Sequence, residues 1–172
     1  MLPGFSPFPE LSTERLRLRQ LTMGDEKEIF LLRSDSEVNR FLDRPRAETI
    51  EDARQFIQTI RSGVQEDKWV YWAICLRSDP ALIGSIGLWN ISREHSKAEI
   101  GYELLPTWQG KGLMNEVLPP VLDFGFSRMK LRTIDAVLDP ANTRSLKLLE
   151  IHGFKRLASS EVAGTVTYSL EA

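Results

Sequence analysis

Residues 108–114 read WQGKGLM, a segment in which two glycines enclose a lysine and apolar residues follow at once. Glycine lacks a Cβ atom, so the main chain at a glycine can adopt positive φ values and approach a ligand closely. The first N–H groups of a helix have no partner within the helix and carry a partial positive charge, which makes a helix start a site for phosphate groups. The segment therefore predicts a tight turn or, more specifically, a phosphate-binding loop that opens a helix.

Two familiar phosphate-binding loops do not fit this spacing. A nucleotide P-loop ends in Gly-Lys-Ser or Gly-Lys-Thr, whereas Gly-Lys-Gly at 110–112 is followed by Leu113. A dinucleotide-binding fingerprint would need a third glycine where Asn115 stands. The loop therefore belongs to another class of anion site.

The composition limits the classes of protein that can carry this loop. With 42% hydrophobic residues, the chain suits one domain over residues 1–172, with an irregular lead-in at 1–10. The net charge of −2 gives no overall field that would attract nucleic acid or an anionic membrane. The chain has neither a leader-like segment nor a run of about 18 uncharged apolar residues, and two histidines and one cysteine are too few for a metal cluster. We therefore expect a soluble, unprocessed cytoplasmic protein without a metal.

Hydrophobic periodicity predicts a mixed α+β order of elements. Seven runs have the pattern of strands, at 15–21, 69–77, 81–90, 98–105, 132–138, 154–160 and 166–171. Helical spacing and capping residues predict four helices, around 28–33, 50–60, 111–128 and 142–153. Pro119 and Pro120 remove two N–H donors inside the third helix, so we expect a kink or break there.

Five blocks of sequence resemble the GNAT acetyltransferase superfamily, especially its branch of ribosomal-protein N-terminal acetyltransferases. They are LSTERLRLR (11–19), LIGSIGLWN (82–90), AEIGYELLP (98–106), GKGLMNE (110–116) and NTRSLKLLEIHGF (142–154). The family's acyl-CoA loop is Gln or Arg, two residues, Gly or Ala, one residue, and Gly or Ala; residues 109–114 match it with Met in the last place. The resemblance implies a GNAT fold, with a central, mostly antiparallel seven-stranded sheet flanked by about four helices and splayed between the fourth and fifth predicted strands.

The resemblance implies acetyl-CoA as co-substrate and no metal. Its pantetheine arm would lie as an extra strand in the splayed gap, and its pyrophosphate would rest on the amides of the glycine loop. The implied cofactor-binding residues are Tyr102, Glu103, Leu104, Gln109, Gly110, Lys111, Gly112, Leu113, Met114, Asn115, Asn142 and Ser145. Three of them have a second interpretation, since Lys111 also fits a solvated loop lysine, Asn142 an ordinary helix N-cap and Ser145 merely the third residue of that helix.

The implied reaction is direct attack of a neutral primary amine on the thioester carbonyl, followed by departure of the CoA thiolate. By its family position the N–H of Leu104 would donate to the oxyanion. Many family members use a tyrosine as the acid at the position of Leu149, so that acid is missing here. Ser145 is the expected replacement, with its hydroxyl on the sulfur.

Carboxylates that could assist the amine lie on one predicted strand. Glu99 and Glu103 would be separated by roughly 13 Å, so at most one is catalytic. An α-amine with a pKa near 7.7–8.0 is partly neutral at cytosolic pH and needs no strong base, unlike a lysine near 10.4. We expect Glu99 to orient the amine through water, with Glu116 as the alternative and a purely structural carboxylate as the other interpretation of each.

The acceptor class stays open at the level of sequence. It is the N-terminal α-amine of a protein, such as a ribosomal protein, or a small amine such as a polyamine, amino acid or antibiotic. A non-catalytic acyl-CoA sensor is also consistent with Leu149. The arginine stripe at 15, 17 and 19 is interpreted as the solvated face of an edge strand rather than as a nucleic-acid contact, and both a monomer and a homodimer are compatible with an exposed strand edge.

Overall fold

The computed structural model describes residues 4–172, so residues 1–3 of the predicted lead-in lie outside the described residues. One eight-stranded sheet has the strand order β1-β2-β3-β4-β5-β6-β8-β7. The strands are β1 (Leu11–Ser12), β2 (Leu16–Gln20), β3 (Val70–Leu76), β4 (Asp79–Ser92), β5 (Lys97–Leu104), β6 (Thr133–Leu138), β7 (Lys155–Arg156) and β8 (Val166–Glu171). Neighbouring strands are antiparallel except β5 and β6. The α+β class and the mostly antiparallel sheet are confirmed.

The predicted count of seven strands is wrong by one. The additional strand, β1, has two residues that pair with Leu18 and Arg17 of β2. Two residues are too few to show an alternation of apolar and polar side chains, so the sequence pattern did not predict this strand. Because β1 covers β2, the arginine stripe does not lie on an edge strand, and Arg17 and Arg19 form ion pairs with Glu10 and Asp25.

Four helices flank the sheet: α1 (Glu26–Ser34), α2 (Ile50–Gln65), α3 (Leu113–Asp123) and α4 (Thr143–Ile151). Of the kink or break expected at the two prolines, the break is wrong, because α3 runs without interruption through Pro119 and Pro120, and the kink stays a prediction. Buried residues on both sides of the prolines, including Leu118 and Val121, anchor the helix in the core, and this packing holds it where local propensity would end it. A π-helix, Phe124–Arg128, follows directly.

The helices lie in two layers. Adjacent residues of a strand point to opposite faces of the sheet, so Tyr71 and Trp72 mark the two faces. Phe56 of α2 packs edge-on against Tyr71, with ring centroids 6.0 Å apart. Phe124, after α3, packs against Trp72 at 5.3 Å. Thus α2 covers one face, and α3 with its π-helix covers the other.

The sheet opens between β5 and β6. These strands pair at only three positions, the last of which is Glu99 with Asp135. β5 continues to Leu104 without β6 beside it, which confirms the predicted splay. The N–H of Leu105 donates to the carbonyl of Ile83 on β4 at 2.8 Å. Since successive N–H groups of a strand point to opposite sides, the N–H of Leu104 faces the gap.

Candidate active site

The glycine loop has the left-handed geometry that its sequence predicts. Gly110 and Gly112 have φ values of 74° and 75°, a region that favours glycine. Gly112 is the N-cap of α3, so the N–H groups of residues 113–115 have no acceptor within the helix. A Cβ atom at Gly110 would meet nothing within 4 Å, so its backbone conformation, rather than crowding, calls for glycine at this position.

Hydrogen bonds from Arg15, which is itself bonded to Glu116, stabilise the conformation of this loop. Arg15 Nη1 donates to the carbonyl of Lys111 at 3.1 Å, and its Nε donates to Glu116 Oε1 at 2.7 Å. Glu116 also accepts from the Thr13 hydroxyl and from the N–H of Arg15. Burial alone would raise the pKa of Glu116, but these hydrogen bonds outweigh burial and lower it. The structure thus places Glu116 in the support of the loop, away from both cavities described below.

Gln109 connects the loop to the neighbouring elements. Its Nε2 donates to the carbonyl of Leu104 at 2.9 Å, and its Oε1 accepts from Arg144 Nη1 at 3.1 Å. The end of β5 and the start of α4 are therefore fixed relative to each other. The Leu104 carbonyl is occupied by this bond, while the Leu104 N–H is not used by β4.

Two other loop residues have side chains engaged with protein groups. Lys111 Nζ lies 5.0 Å from the centre of the Trp108 ring, which is within the range of a cation–π contact. Asn115 Oδ1 lies 2.8 Å from Nε2 of His152 at the end of α4, and burial lowers the pKa of that histidine. The side chain of Leu113 is buried. Any contact of these residues with a phosphate would come mainly from the main chain.

A groove of about 480 Å³, here called the α4 groove, runs between the end of β5, α3 and α4. Seven of the predicted cofactor residues line it, namely Tyr102, Glu103, Leu104, Gln109, Met114, Asn142 and Ser145. Gly110, Lys111, Gly112, Leu113 and Asn115 form the loop and the first turn of α3 and do not line the groove.

A second cavity of about 520 Å³, here called the α2 cavity, lies beneath α1 and α2. Its walls include Arg33, Phe56, Tyr71, Trp89 and Glu99. The α4 groove and the α2 cavity share Leu42, Tyr102, Glu103, Asn142 and Ser145. The two spaces therefore meet at the gap between β5 and β6.

Tyr102 and Ser145 form a close pair at this meeting point. Their hydroxyl oxygens are 2.6 Å apart, although 43 positions separate them in the chain. Asn142 caps α4 by accepting from the N–H of Ser145 at 3.3 Å. Burial, opposed by the bond to Ser145, raises the pKa of Tyr102 to about 12, so this hydroxyl stays protonated at neutral pH. Leu149, in the position of the missing tyrosine, is fully buried.

The two carboxylates of β5 have different surroundings. Glu103 Oε2 forms an ion pair with Arg44 Nη2 at 2.7 Å, and both side chains are mostly buried. Glu99 Oε1 accepts from Asn90 Nδ2 at 3.1 Å and has no ion pair within residues 4–172. Both line the α2 cavity, and of these two β5 carboxylates Glu99 is the one without a cationic partner among the described residues.

Trp89 of β4 lines the α2 cavity. A Cβ atom at Gly101 would overlap its ring, so this glycine leaves the space in which the indole lies across β5. Sequence analysis missed Arg33, Arg44 and Tyr71 as cavity residues. An arginine at the end of a helix, an arginine in a connecting segment and a tyrosine in an apolar strand are all common, so none of the three carried a local signal.

The comparison with known families agrees with the geometry of the loop and the gap. A model described as an acetyltransferase (GNAT) domain matches residues 15–155. The chain belongs to the GNAT acetyltransferase family. This GNAT protein is therefore an acyltransferase, and the resemblance found in its sequence is confirmed.

Individual relatives extend this result. The GNAT chain is 40% identical over 149 residues to YoaA, an uncharacterized N-acetyltransferase of Bacillus subtilis. These residues make up 87% of this chain and 84% of YoaA. A GNAT-family acetyltransferase structure from Bacillus anthracis superposes with a TM-score of 0.80 at 26% identity, covering 95% of this chain and 98% of that one. Mycobacterium smegmatis RimJ, solved in complex with CoA-disulfide, superposes with a TM-score of 0.83 at 21% identity. The match covers 100% of this chain and 90% of RimJ, so the two proteins share the fold.

Within residues 4–172, no three His, Cys, Asp or Glu side chains are arranged to hold a metal ion. None of the described helices combines the length and apolar character needed to cross a membrane.

Proposed function

We propose that the protein transfers the acetyl group of acetyl-CoA directly to a primary amine, with acetyl-CoA in the α4 groove and the amine entering from the α2 cavity. The observation that carries this proposal is the junction of the two spaces at Tyr102 and Ser145. Direct transfer requires two substrates to reach one point from different sides, and the gap between β5 and β6 supplies such a point. The amine nitrogen gains the acetyl carbon while the bond from that carbon to sulfur breaks.

The residues at the gap fit acetyl-CoA. The N–H of Leu104 points into the gap and is not used by β4, so it can donate to the thioester oxygen as negative charge develops there. The glycine loop presents the first N–H groups of α3 for the pyrophosphate. Gln109 and Arg15 keep these two donor groups in fixed relative positions.

The departing thiolate requires a proton, since an ordinary thiol has a pKa of about 8.5. Ser145 donates a proton to the sulfur, Tyr102 is a positioning residue that donates in turn to Ser145, and solvent water returns a proton to Tyr102. The raised pKa of Tyr102 keeps it protonated throughout the physiological range. Asn142 fixes the turn of α4 that carries the serine.

The attacking amine must also lose a proton. Glu103 is held by Arg44, which leaves Glu99 as the carboxylate that accepts this proton through water. An α-amine is the acceptor that places the smallest demand on such a base. A protein N-terminus and a small α-amine are both acceptors of this kind.

The test is release of thiol from acetyl-CoA, with mass analysis of the products, for the wild type and Ser145→Ala. The acceptors are peptides with free N-termini, the same peptides with blocked N-termini and free lysines, polyamines and amino acids. Acetylation of an amine that falls in Ser145→Ala supports the proposal. Peptide N-termini as best acceptors would indicate protein modification, and small amines alone would indicate metabolite chemistry. Tight binding of acetyl-CoA without turnover on any acceptor would contradict the proposal and favour a sensor.

A further inference from the structure

Arg33 is a cation without a partner in the wall of the α2 cavity. Its guanidinium carbon lies 3.9 Å from the centre of the Phe56 ring, and within residues 4–172 its side chain forms no ion pair or hydrogen bond. Burial, and then the nearby positive charge of Arg44, lower the pKa of Arg33, while Glu103 partly offsets them. A guanidinium stays charged in such a place, so it favours an anionic ligand group.

Tyr71 is the second polar group of this wall without a partner. Its side chain is buried, with 8% of the residue exposed, and its hydroxyl lies near the Ser85 hydroxyl without forming a hydrogen bond of normal geometry to it or to another described residue. Arg33 and Tyr71 both contact Phe56, one over its face and the other edge-on. They therefore present two donors on one side of the same cavity. A buried donor without an acceptor is rare in folded proteins, which suggests that a ligand supplies the acceptor.

The other charged groups of the α2 cavity do not supply an acceptor for Arg33 and Tyr71. Glu103 is paired with Arg44, and Glu99 accepts from Asn90. The remaining carboxylate in the lining, Asp43, is exposed to solvent. Two arginines next to each other also make this end of the cavity unfavourable for a polycation.

The path from Tyr71 to the gap crosses the sheet. Tyr71 of β3, Gly87 of β4 and Gly101 of β5 lie in one cross-strand row. Strands are about 4.8 Å apart, so two steps bring the row from β3 to β5 over roughly 10 Å. The ring of Trp89 lies against both glycines and gives this path an apolar floor.

We propose that the acceptor of the transfer reaction is an amine that carries a carboxylate roughly 10 Å away along an apolar linker. The carboxylate binds Arg33 and the Tyr71 hydroxyl, and the amine lies at the gap beside Tyr102. A linear ω-amino acid has this chemistry. Its amine has a pKa near that of a lysine, about 10.4, so it depends on Glu99 more than an α-amine does. This inference rests on the proposed function, because it names the acceptor for the same gap.

The test uses ω-amino acids of increasing length, from glycine to 8-aminooctanoate, each compared with the alkylamine of equal length. The peptides Ala-Asp-Gly-Gly and Ala-Asn-Gly-Gly test a carboxylate that is too close to the amine to reach Arg33, so their rates should be equal, and spermidine represents the polycations. For the wild type we expect kcat/KM of the longer amino acids to exceed that of their alkylamines by roughly 10- to 100-fold. An equal rate with and without the carboxylate, or spermidine as the best acceptor, would overturn the inference.

Variants locate the effect. In Arg33→Met the preference for the carboxylate should fall to near one, and Arg33→Lys should restore part of it. Tyr71→Phe should lower the preference by a few-fold. Arg46→Met is the matched control, since Arg46 is exposed, lines neither space and should keep the full preference. A preference for the carboxylate that survives in Arg33→Met, or that is lost in Arg46→Met, would contradict the assignment if the variant keeps the wild-type melting temperature.

Binding separates this inference from the proposed function. Calorimetry measures 8-aminooctanoate binding to CoA-saturated protein in the wild type and in Arg33→Met. Binding that is lost in the variant, together with turnover, supports the inference. The same loss of binding without turnover of any amine would support only the carboxylate site at Arg33 and would overturn both the proposed function and the acceptor role. Absence of binding to the wild type, together with turnover of other amines, overturns the inference and leaves the function standing. Neither binding nor turnover would overturn both.

Discussion

The glycine loop and the α2 cavity differ in whether their polar side chains are hydrogen-bonded within the protein. Around the loop, Arg15 and Glu116 are bonded to each other or to the main chain, and the side chains serve to fix the backbone. In the α2 cavity, Arg33 and the Tyr71 hydroxyl have no partners among the described residues. Recognition through main-chain amides needs a backbone held in place, whereas recognition of an acceptor needs side-chain groups that remain available. Changes in the first region should therefore affect stability, and changes in the second should affect selectivity.

The largest effect is expected at the point where the two spaces meet. Tyr102→Phe removes the hydroxyl that lies 2.6 Å from Ser145 Oγ. We expect kcat to fall about 100-fold, since a positioned proton donor contributes on the order of 10²–10⁴-fold. The KM for acetyl-CoA should change little, because Tyr102 acts through Ser145 on the leaving sulfur. Steady-state thiol release measures both constants.

Tyr168→Phe is the control for this change. Tyr168 is buried and donates to Glu150 Oε1 at 3.2 Å, but it lines neither space, so kcat should stay at the wild-type value. The double variant with Ser145→Ala should be little slower than Ser145→Ala alone, because both hydroxyls serve one proton path. Effects that multiply fully would mean that the two groups act independently.

The next largest effect tests the support of the loop. Glu116→Ala removes the acceptor for Thr13 and Arg15. We expect the free energy of unfolding to fall by about 2 kcal/mol, the usual range for hydrogen bonds to a charged group. The KM for acetyl-CoA should rise as well, since Arg15 also holds the Lys111 carbonyl. Denaturant unfolding and steady-state kinetics measure the two quantities.

This loss should depend on pH in one direction. The folded-state pKa of Glu116 lies below its ordinary value of 4.5, so its ionised form stabilises the fold above pH 4.5. That contribution disappears as the pH falls through the lowered pKa, and the charge-dependent part of the difference between the variant and the wild type should vanish there. Glu14→Ala, an exposed change in the same turn, is the control and should alter neither stability nor KM. A constant difference at all pH values would assign the effect to packing.

A smaller effect is expected from the conformation of the loop itself. Gly110→Ala places a Cβ atom at a φ of 74°, which costs about 1 kcal/mol even though the surrounding space is open. The KM for acetyl-CoA should rise about fivefold, the equivalent of this strain if the loop shifts to relieve it. Gly24→Ala is the control, because its Cβ would meet only an ordinary contact and its φ is not positive. Equal KM values for the two variants would show that the left-handed geometry does not matter for binding.

The smallest effect on stability is expected in the α2 cavity. Tyr71→Phe removes a hydroxyl that has no partner among residues 4–172, so the free energy of unfolding should stay within about 0.5 kcal/mol of the wild type or rise slightly. Denaturant unfolding alongside Glu116→Ala makes the contrast direct. A loss above about 1 kcal/mol would show that the hydroxyl is bonded in solution, and the contrast between the two regions would fail.

Features that depend only on residues close together in the sequence were predictable. The glycine loop, the four helices and the long strands follow from backbone preferences and periodicity within short windows, and the structure contains all of them. The predictions failed where packing overrides local preference. Two-residue β1 exists because β2 offers it a partner, and α3 continues through Pro119 and Pro120 because its neighbours in the sequence are buried.

The order of elements and the loop at residues 108–114 could be worked out from the chain alone, because period, capping and glycine conformation act over a few residues. The contacts at the site arise differently. The pairing of Tyr102 with Ser145, and the convergence of Arg33 and Tyr71 on Phe56, join residues from separate strands and helices. Strand register and the docking of α1, α2 and α4 on the sheet bring them together, and these depend on burial summed over the whole core.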